Sequence, residues 1–220
     1  MNELKTDNES LAILSNSLYT EFGSGLYLIY YLHQSLHIEG DVCEFGVGQG
    51  FISALLAHEI EDTDKNLWLF DSFEGFDRPS QKDVLIHDPL HLGTAEAYLG
   101  RMVFPEDGVR ARLSAISFPS GRTRIVPGFI SKTIHGPALP KKVCFAYVDF
   151  DFYDPILTAL QFLDTVLLPG GFVIIDDYDF FSAGAKCAVD EFFDSCKGRY
   201  TRTFPEKTGE RICILQRISE

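Results

Sequence analysis

Basic residues are scarce in this chain: 19 Lys and Arg stand against 32 Asp and Glu in 220 residues, a formal charge of −13. Affinity for nucleic acid or an anionic membrane needs a basic face, so neither is expected as a partner, and a polyanionic substrate is not expected either. Long apolar runs are missing too. Nothing approaches the roughly 20 residues of a membrane span, and Met1–Ser17 mixes Asn, Glu, Lys and Asp where a secretory leader would carry an apolar core. A soluble, cytoplasmic protein is the expectation. The five cysteines, Cys43, Cys144, Cys187, Cys196 and Cys213, are odd in number and show no CxxC spacing. Lying mostly inside apolar runs, they read as buried thiols in a reducing compartment. Repeats and low-complexity tracts are absent. What is plentiful is core material: 45% hydrophobic and 13% aromatic residues suffice for one large core, and a single domain over residues 1–220 is expected.

Two apolar runs organise the rest. Val143–Val148 and Phe172–Ile175 read as strands buried on both faces, and each ends abruptly in carboxylates, Asp149 and Asp151 in one, Asp176 and Asp177 in the other. In an open α/β sheet ligands bind beyond the carboxyl ends of parallel strands, so neighbouring strands with these ends would crowd four negative charges into one crevice. Like charges at that separation repel, and the arrangement makes most sense around a cation; an all-oxygen ligand set suits Mg²⁺, Ca²⁺ or Mn²⁺. The competing reading is helix capping, for which Asp154-Pro155 has the composition of a helix start.

Earlier in the chain, strand Val42–Phe45 runs into Gly46-Val47-Gly48-Gln49-Gly50 and then helix Phe51–Ile60. Glycines let the backbone turn sharply and approach a ligand, and the helix N-terminus offers free N–H groups. The dinucleotide fingerprint requires a small residue at its sixth position, which here is Phe51. Strand Asn66–Phe70 ends at Asp71, about 20 residues past Gly50, where a carboxylate can receive ribose hydroxyls. Further elements follow from periodicity: a helix over Leu26–His37, a short helix in Thr94–Met102, an irregular Gly108–Ser120, strand Arg124–Pro127 and short helix Phe129–Ile134. A helix carrying Ile156, Leu160, Leu163 and Leu167 stops before Pro169-Gly170-Gly171, a second covers Phe180–Cys196, and Arg202–Phe204 with Arg211–Gln216 closes as a hairpin. The alternation predicts a three-layer α/β fold, mostly parallel, with an antiparallel last strand. Residues 1–39 read as a helical, lid-forming region and 77–120 as a lid insertion. His87 and His91, separated by Pro89, are expected in solvent.

The spacing Glu44-x-Gly46-x-Gly48-x-Gly50 resembles the cofactor loop of class I S-adenosylmethionine-dependent methyltransferases. With Asp71-Ser72-Phe73-Glu74-Gly75-Phe76, Val148-Asp149-Phe150-Asp151-Phe152-Tyr153 and Pro169–Tyr178, the chain from about Gly40 to near Cys196 is similar to the macrocin O-methyltransferase family. The resemblance implies a Rossmann-like fold and S-adenosylmethionine held by Glu44, Gly46, Gly48, Gly50, Asp71, Ser72 and Phe73. It also implies Mg²⁺ on Asp149, Asp176 and Asp177, Asp151 as general base, and methyl transfer to a hydroxyl of a small-molecule acceptor, a sugar or other vicinal diol. Phe150, where the family pattern has Gly, and the short N-terminal region are departures. Three alternatives are weighed beside it. An NAD-dependent oxidoreductase would leave the four aspartates unemployed, a metal-dependent hydrolase would leave the glycine loop unexplained, and a non-catalytic cofactor-binding module would follow if Phe150 closed the acceptor site. Aromatics of the N-terminal region would allow a homodimer.

Overall fold

A computed structural model describes residues 6–16, 22–196, 198–205 and 211–219. Helices α1 (Asn8–Asn16) and α2 (Phe22–Ser35) precede β1 (Asp41–Phe45), α3 (Phe51–Glu59) and β2 (Leu67–Asp71). After an insertion containing α4 (Glu106–Ala115) come β3 (Thr123–Pro127), α5 (Ile130–Thr133), β4 (Val143–Val148), α6 (Tyr153–Val166), β5 (Leu167–Ile175), α7 (Ala183–Ser195), β6 (Tyr200–Thr203) and β7 (Cys213–Arg217). The seven strands form one sheet in the order β3-β2-β1-β4-β5-β7-β6. Pairings from β3 to β5 are parallel, and β7 runs antiparallel to both β5 and β6. The strand order reverses between β1 and β4, the switch point at which such sheets bind ligands.

Side-chain alternation along the strands sorts the core into two layers. On β5, Phe172 and Ile174 pack with α2, α3 and α4 on one face, while Val173 and Ile175 pack with α6 and α7 on the other. This is why the central strands read as unbroken apolar runs: all six residues of β4 are buried. Ile156, Leu160 and Leu163 of α6 are likewise buried, each worth ~1.5–3 kcal/mol relative to exposure. The sequence suggested that α3 buries one face, yet Ile52 through His58 are all buried, because α1, α2 and α4 enclose it. No helix among the described residues is long and apolar enough to cross a membrane. The five cysteines are free, four of them buried and Cys187 partly so.

Two local expectations are corrected. Residues 106–115, overlapping the Gly108–Ser120 stretch expected to be irregular, form α4: Glu106 and Asp107 lie in its first turn, where the helix dipole favours anions, and Val109 and Leu113, four apart, bury against α3. Gly108 and Ser114 lower the intrinsic propensity, and tertiary packing overrides it. The helix expected to carry Leu167 and stop before Pro169-Gly170-Gly171 ends at Val166, and Leu167 starts β5, so Pro169, Gly170 and Gly171 lie within the strand. Val143 pairs with Leu167 and Phe145 with Phe172, so residues 168–171 bulge out opposite Cys144. The bulge tolerates Pro169 in a central strand, and Gly171 has room only for hydrogen, a Cβ there meeting the Cys144 carbonyl at 2.7 Å.

Helix α7 also starts later than periodicity suggests. Ser182 caps it, accepting from Gly184 N at 3.0 Å, so Phe180 and Phe181 lie before the helix. Both join a satellite cluster with Phe76, Leu85, Leu92, Ala95, Tyr98 and Phe152, which seats the insertion on the sheet's carboxyl edge. Asp83, buried, pins it there by accepting from Ser80 N (2.7 Å), Tyr153 N (2.9 Å) and Ser182 Oγ (3.1 Å). His87 and His91 are exposed as expected.

Candidate functional site

At the switch point a cavity opens between the carboxyl ends of β1 and β4. Its wall includes Glu44, Gly46, Gly48, Asp71, Ser72, Asp149, Phe150 and Asp151, with Met102 and Phe104 contributed by the insertion. Most of the residues expected to bind a cofactor therefore meet one space. Phe73 does not line it; at φ 55° it turns back to pack on the core beside α3, leaving Ser72 at the wall. Gly50 also lies just behind the lining.

The glycines answer to steric demands. Gly46 has φ 86°, and a Cβ there would sit 1.9 Å from the Asp149 carbonyl, because the end of β4 crosses directly over the loop. Gly50, at φ 80°, faces Val109 of α4 at 3.2 Å. Asp71 braces the same loop: its carboxylate accepts from Val47 N (2.7 Å), Gly48 N (3.1 Å) and Phe73 N (2.7 Å). Glu44 points from β1 toward α3 and accepts from Ser53 Oγ at 2.5 Å. Burial pushes its carboxyl well above the usual range, the Asp71 charge adds to the effect, and the Ser53 bond opposes both. A neutral carboxyl so placed can donate as well as accept.

Across the cavity the aspartates gather as the sequence suggested. Asp149 N donates to Phe45 O (2.7 Å) and Asp176 N to Val148 O (2.9 Å), so the two acidic strand ends are stitched side by side. Asp151 and Asp177 both adopt positive φ, 63° and 50°, which turns the chain sharply after each strand. Burial raises the pKa of Asp149, Asp151 and Asp177, and their mutual charges and that of Asp176 push in the same direction. The Asp151 and Asp177 side chains lie close enough to act directly on one another. Asp176 accepts from Tyr147 Oη, and its Oδ1 accepts from Asp177 N at 2.9 Å.

As a donor set these groups suit a hard cation, because they are all oxygen and close enough to repel, although the Arg211 charge offsets part of the effect at Asp177. The match is chemical more than geometric. Among the described residues no group of three or more His, Cys, Asp or Glu side chains is arranged to hold a metal ion, and of the four aspartates only Asp149 and Asp151 line the cavity.

Several contributors escaped the sequence reading. Ser53, Tyr147 and Asp83 each partner a proposed site residue or its turn. Tyr147 carried a signal, lying two residues before Asp149 and so on the same face of β4. Arg112 of α4 donates from Nε to Gln49 O at 2.8 Å and lays its guanidinium 3.6 Å over the Phe51 ring; with α4 read as irregular, nothing in the sequence pointed to it.

The family model for macrocin-O-methyltransferase (TylF) matches residues 33–201. The chain belongs to this family. Among curated relatives, the 8-demethyl-8-(2,3-dimethoxy-alpha-L-rhamnosyl)-tetracenomycin-C 4'-O-methyltransferase of Streptomyces olivaceus is 33% identical over 146 residues, covering 64% of this chain and 54% of its own. The mycinamicin III 3''-O-methyltransferase of Micromonospora griseorubida is 29% identical over 160 residues, covering 64% and 56%. The chain thus spans a little over half the length of the curated relatives it matches. Two solved structures share the fold of this macrocin O-methyltransferase family member. The O-methyltransferase NovP has a TM-score of 0.68 at 21% identity, covering 86% of this chain and 77% of its own, and the calicheamicin methyltransferase CalS11 has 0.67 at 20%, covering 98% and 97%. The Rossmann-like class I methyltransferase architecture, mostly parallel with antiparallel last strands, is the one expected from the sequence.

Proposed function

We propose that this protein is an S-adenosylmethionine-dependent O-methyltransferase that methylates a hydroxyl of a small-molecule acceptor, a sugar of a glycosylated natural product or a comparable vicinal diol. The observation that carries the reading is a single cavity walled on one side by the Glu44–Gly48 loop and Asp71 and on the other by Asp149 and Asp151. Family membership and the names of the relatives support the same chemistry. S-adenosylmethionine, when bound, supplies an electrophilic methyl group on a sulfonium. In this reading Gly46 and Gly48 admit it close to the backbone, while Glu44, Asp71 and Ser72 offer polar partners. Asp151 takes the acceptor's hydroxyl proton as the oxygen–carbon bond forms and the carbon–sulfur bond breaks, with S-adenosylhomocysteine as the leaving product. Mg²⁺ would be held by Asp149, Asp176 and Asp177 and would supply Lewis acidity and a template for neighbouring hydroxyls. Tyr147, which donates to Asp176, orients it for that role.

The insertion is read as a cover. The cavity measures about 190 Å³, below the ~300–1,000 Å³ of typical small-molecule sites, so admitting a nucleoside cofactor and an acceptor calls for Met102 and Phe104 to shift outward. Calorimetric titration with S-adenosylmethionine, NAD and Mg²⁺ separately, followed by mass-spectrometric screening of glycosides with adjacent hydroxyls, tests the reading. Binding of S-adenosylmethionine without NAD and a mass gain of one methyl support it; binding of NAD alone sinks it.

A further inference from the structure

We infer that Arg112 is a positioning residue that rivets the cofactor loop to α4, making the affinity of the glycine loop for an adenosyl ligand depend on the insertion. The inference rests on the methyltransferase reading for its ligand but not for its geometry. Gln49 and Phe51 both line the cavity, and Arg112 engages both from behind the wall, by a hydrogen bond to the Gln49 carbonyl and a flat stack on the Phe51 ring. Arg112 is half-buried, and its planar fork suits this double contact where an ammonium could satisfy only one part of it. Between the two contacts Gly50 faces Val109, one helical turn before Arg112, so α4 covers the whole Gln49–Phe51 segment.

The rivet accounts for a residue that the dinucleotide fingerprint would forbid. A bulky sixth residue cannot tuck between helix and strand, and here Phe51 instead turns outward to become the platform for Arg112. Three of the loop's residues, Gly46, Gly48 and Gly50, have positive φ and the backbone freedom that goes with glycine. Asp71 fixes the loop's first half through Val47 N and Gly48 N, and Arg112 fixes its second half through Gln49 and Phe51. Removing the second restraint makes ligand binding bear the cost of ordering that half.

The test is calorimetric binding of S-adenosylhomocysteine to the full chain, with hydrogen–deuterium exchange of the peptide spanning residues 46–54 in the ligand-free protein. Arg112→Met is expected to weaken binding about 10-fold and to speed exchange in that peptide. Arg112→Lys should recover only part of either effect. Phe51→Leu should also weaken binding, and the double variant Arg112→Met with Phe51→Leu should lose less than the sum of the two single losses, as residues in contact do. Affinity within 2-fold of wild type in Arg112→Met, or a lowered melting temperature with affinity and loop exchange unchanged, would overturn the inference and leave Arg112 a packing residue of α4. If wild type fails to bind S-adenosylhomocysteine, the methyltransferase reading fails instead. The exchange measurement then still decides the rivet, because faster loop exchange supports it and unchanged exchange refutes it.

Discussion

Asp71 offers the sharpest test, because the structure gives it a role that exists before any ligand arrives. If it served only to receive ribose hydroxyls, Asp71→Ala would weaken cofactor binding and leave the empty protein as stable as before. Its carboxylate, however, accepts three backbone N–H bonds, from Val47, Gly48 and Phe73, tying the glycine loop and the turn after β2 to one side chain. A bond from a neutral amide to a charged acceptor contributes ~1.5–3 kcal/mol. Asp71 is half-buried, so water can reach part of what alanine would expose; discounting by half leaves a loss of about 2–4 kcal/mol. For a chain of this size that is a fall of about 5–15 °C in melting temperature. Asp71→Asn keeps one acceptor oxygen and should lose about half as much. Differential scanning fluorimetry and urea titration on ligand-free protein measure both, and calorimetry with S-adenosylmethionine measures the cofactor effect separately. A ligand-free Asp71→Ala protein that melts within about 2 °C of wild type refutes the brace, and unchanged cofactor affinity in the same variant refutes the ribose contact.

Removal of divalent cations with EDTA should abolish methyl transfer, and Mg²⁺ or Mn²⁺ should restore it; full turnover after exhaustive chelation removes the metal from the reading. Asp151→Asn should slow single-turnover methyl transfer ~10²–10⁴-fold, the usual contribution of a positioned base, while S-adenosylmethionine affinity stays near wild type, and a fast variant rules Asp151 out as base. Asp83→Ala strands Tyr153 N, Ser80 N and Ser182 Oγ without their acceptor and should cost ~2–5 kcal/mol in urea unfolding, a loss under ~1 kcal/mol showing that the insertion is anchored elsewhere. Docking of α1 should be pH-dependent: Asp7 is held down to about 2, chiefly by the Ser10 backbone N–H, and His58 is raised because its bond to Asp7 and the nearby acids outweigh burial. The Asp7 contribution is complete above its ordinary 3.8 and lost as pH falls toward 2, while the His58 contribution is complete below 6.5 and lost as pH rises through its higher folded value. Amide exchange in α1 should therefore be slowest between about pH 4 and 6.5, and protection that is flat, once corrected for intrinsic exchange, contradicts it.

The parts legible in the sequence were those with one strong local cause. β4 and β5 declared themselves because burial on both faces demands unbroken apolar residues, and their ends declared themselves because four aspartates have no business in a core. The glycine loop was legible because its spacing reflects contacts under which only hydrogen fits, as at Gly46 under the Asp149 carbonyl. What stayed hidden depended on tertiary partners. Helix α4 has two weak helix formers and only two buried residues, Val109 and Leu113, so its pattern is faint until α3 is placed beside it. The bulge at residues 168–171 stayed hidden because Leu167 continues the helical spacing of Ile156, Leu160 and Leu163, and Pro-Gly-Gly has the composition of a helix stop as much as of a strand looping out of register. Phe73 fell on a motif position but turned away at positive φ, an orientation that no spacing rule records.

The insertion and the acidic turn are parts of one construction. Asp151 holds a left-handed backbone conformation that costs a non-glycine residue of order 1–3 kcal/mol, and its neighbours are committed in different directions: Phe150 lines the cavity, while Phe152 is buried among Phe76, Tyr98 and Phe181. One residue further on, Tyr153 N is taken by Asp83. These fixed points come from residues 76–98 and from Phe181 just before α7, and of residues 76–98 only Phe76 and Asp77 line the cavity. The second half of the same insertion supplies Met102 and Phe104 to the wall and Arg112 to the loop behind it. A segment that fixes the acidic turn at one end and the glycine loop at the other cannot swing as one body without disturbing both. Any opening that admits a ligand must be confined to the stretch between them, around Met102 and Phe104, where Leu99, Met102 and Val103 already stand exposed.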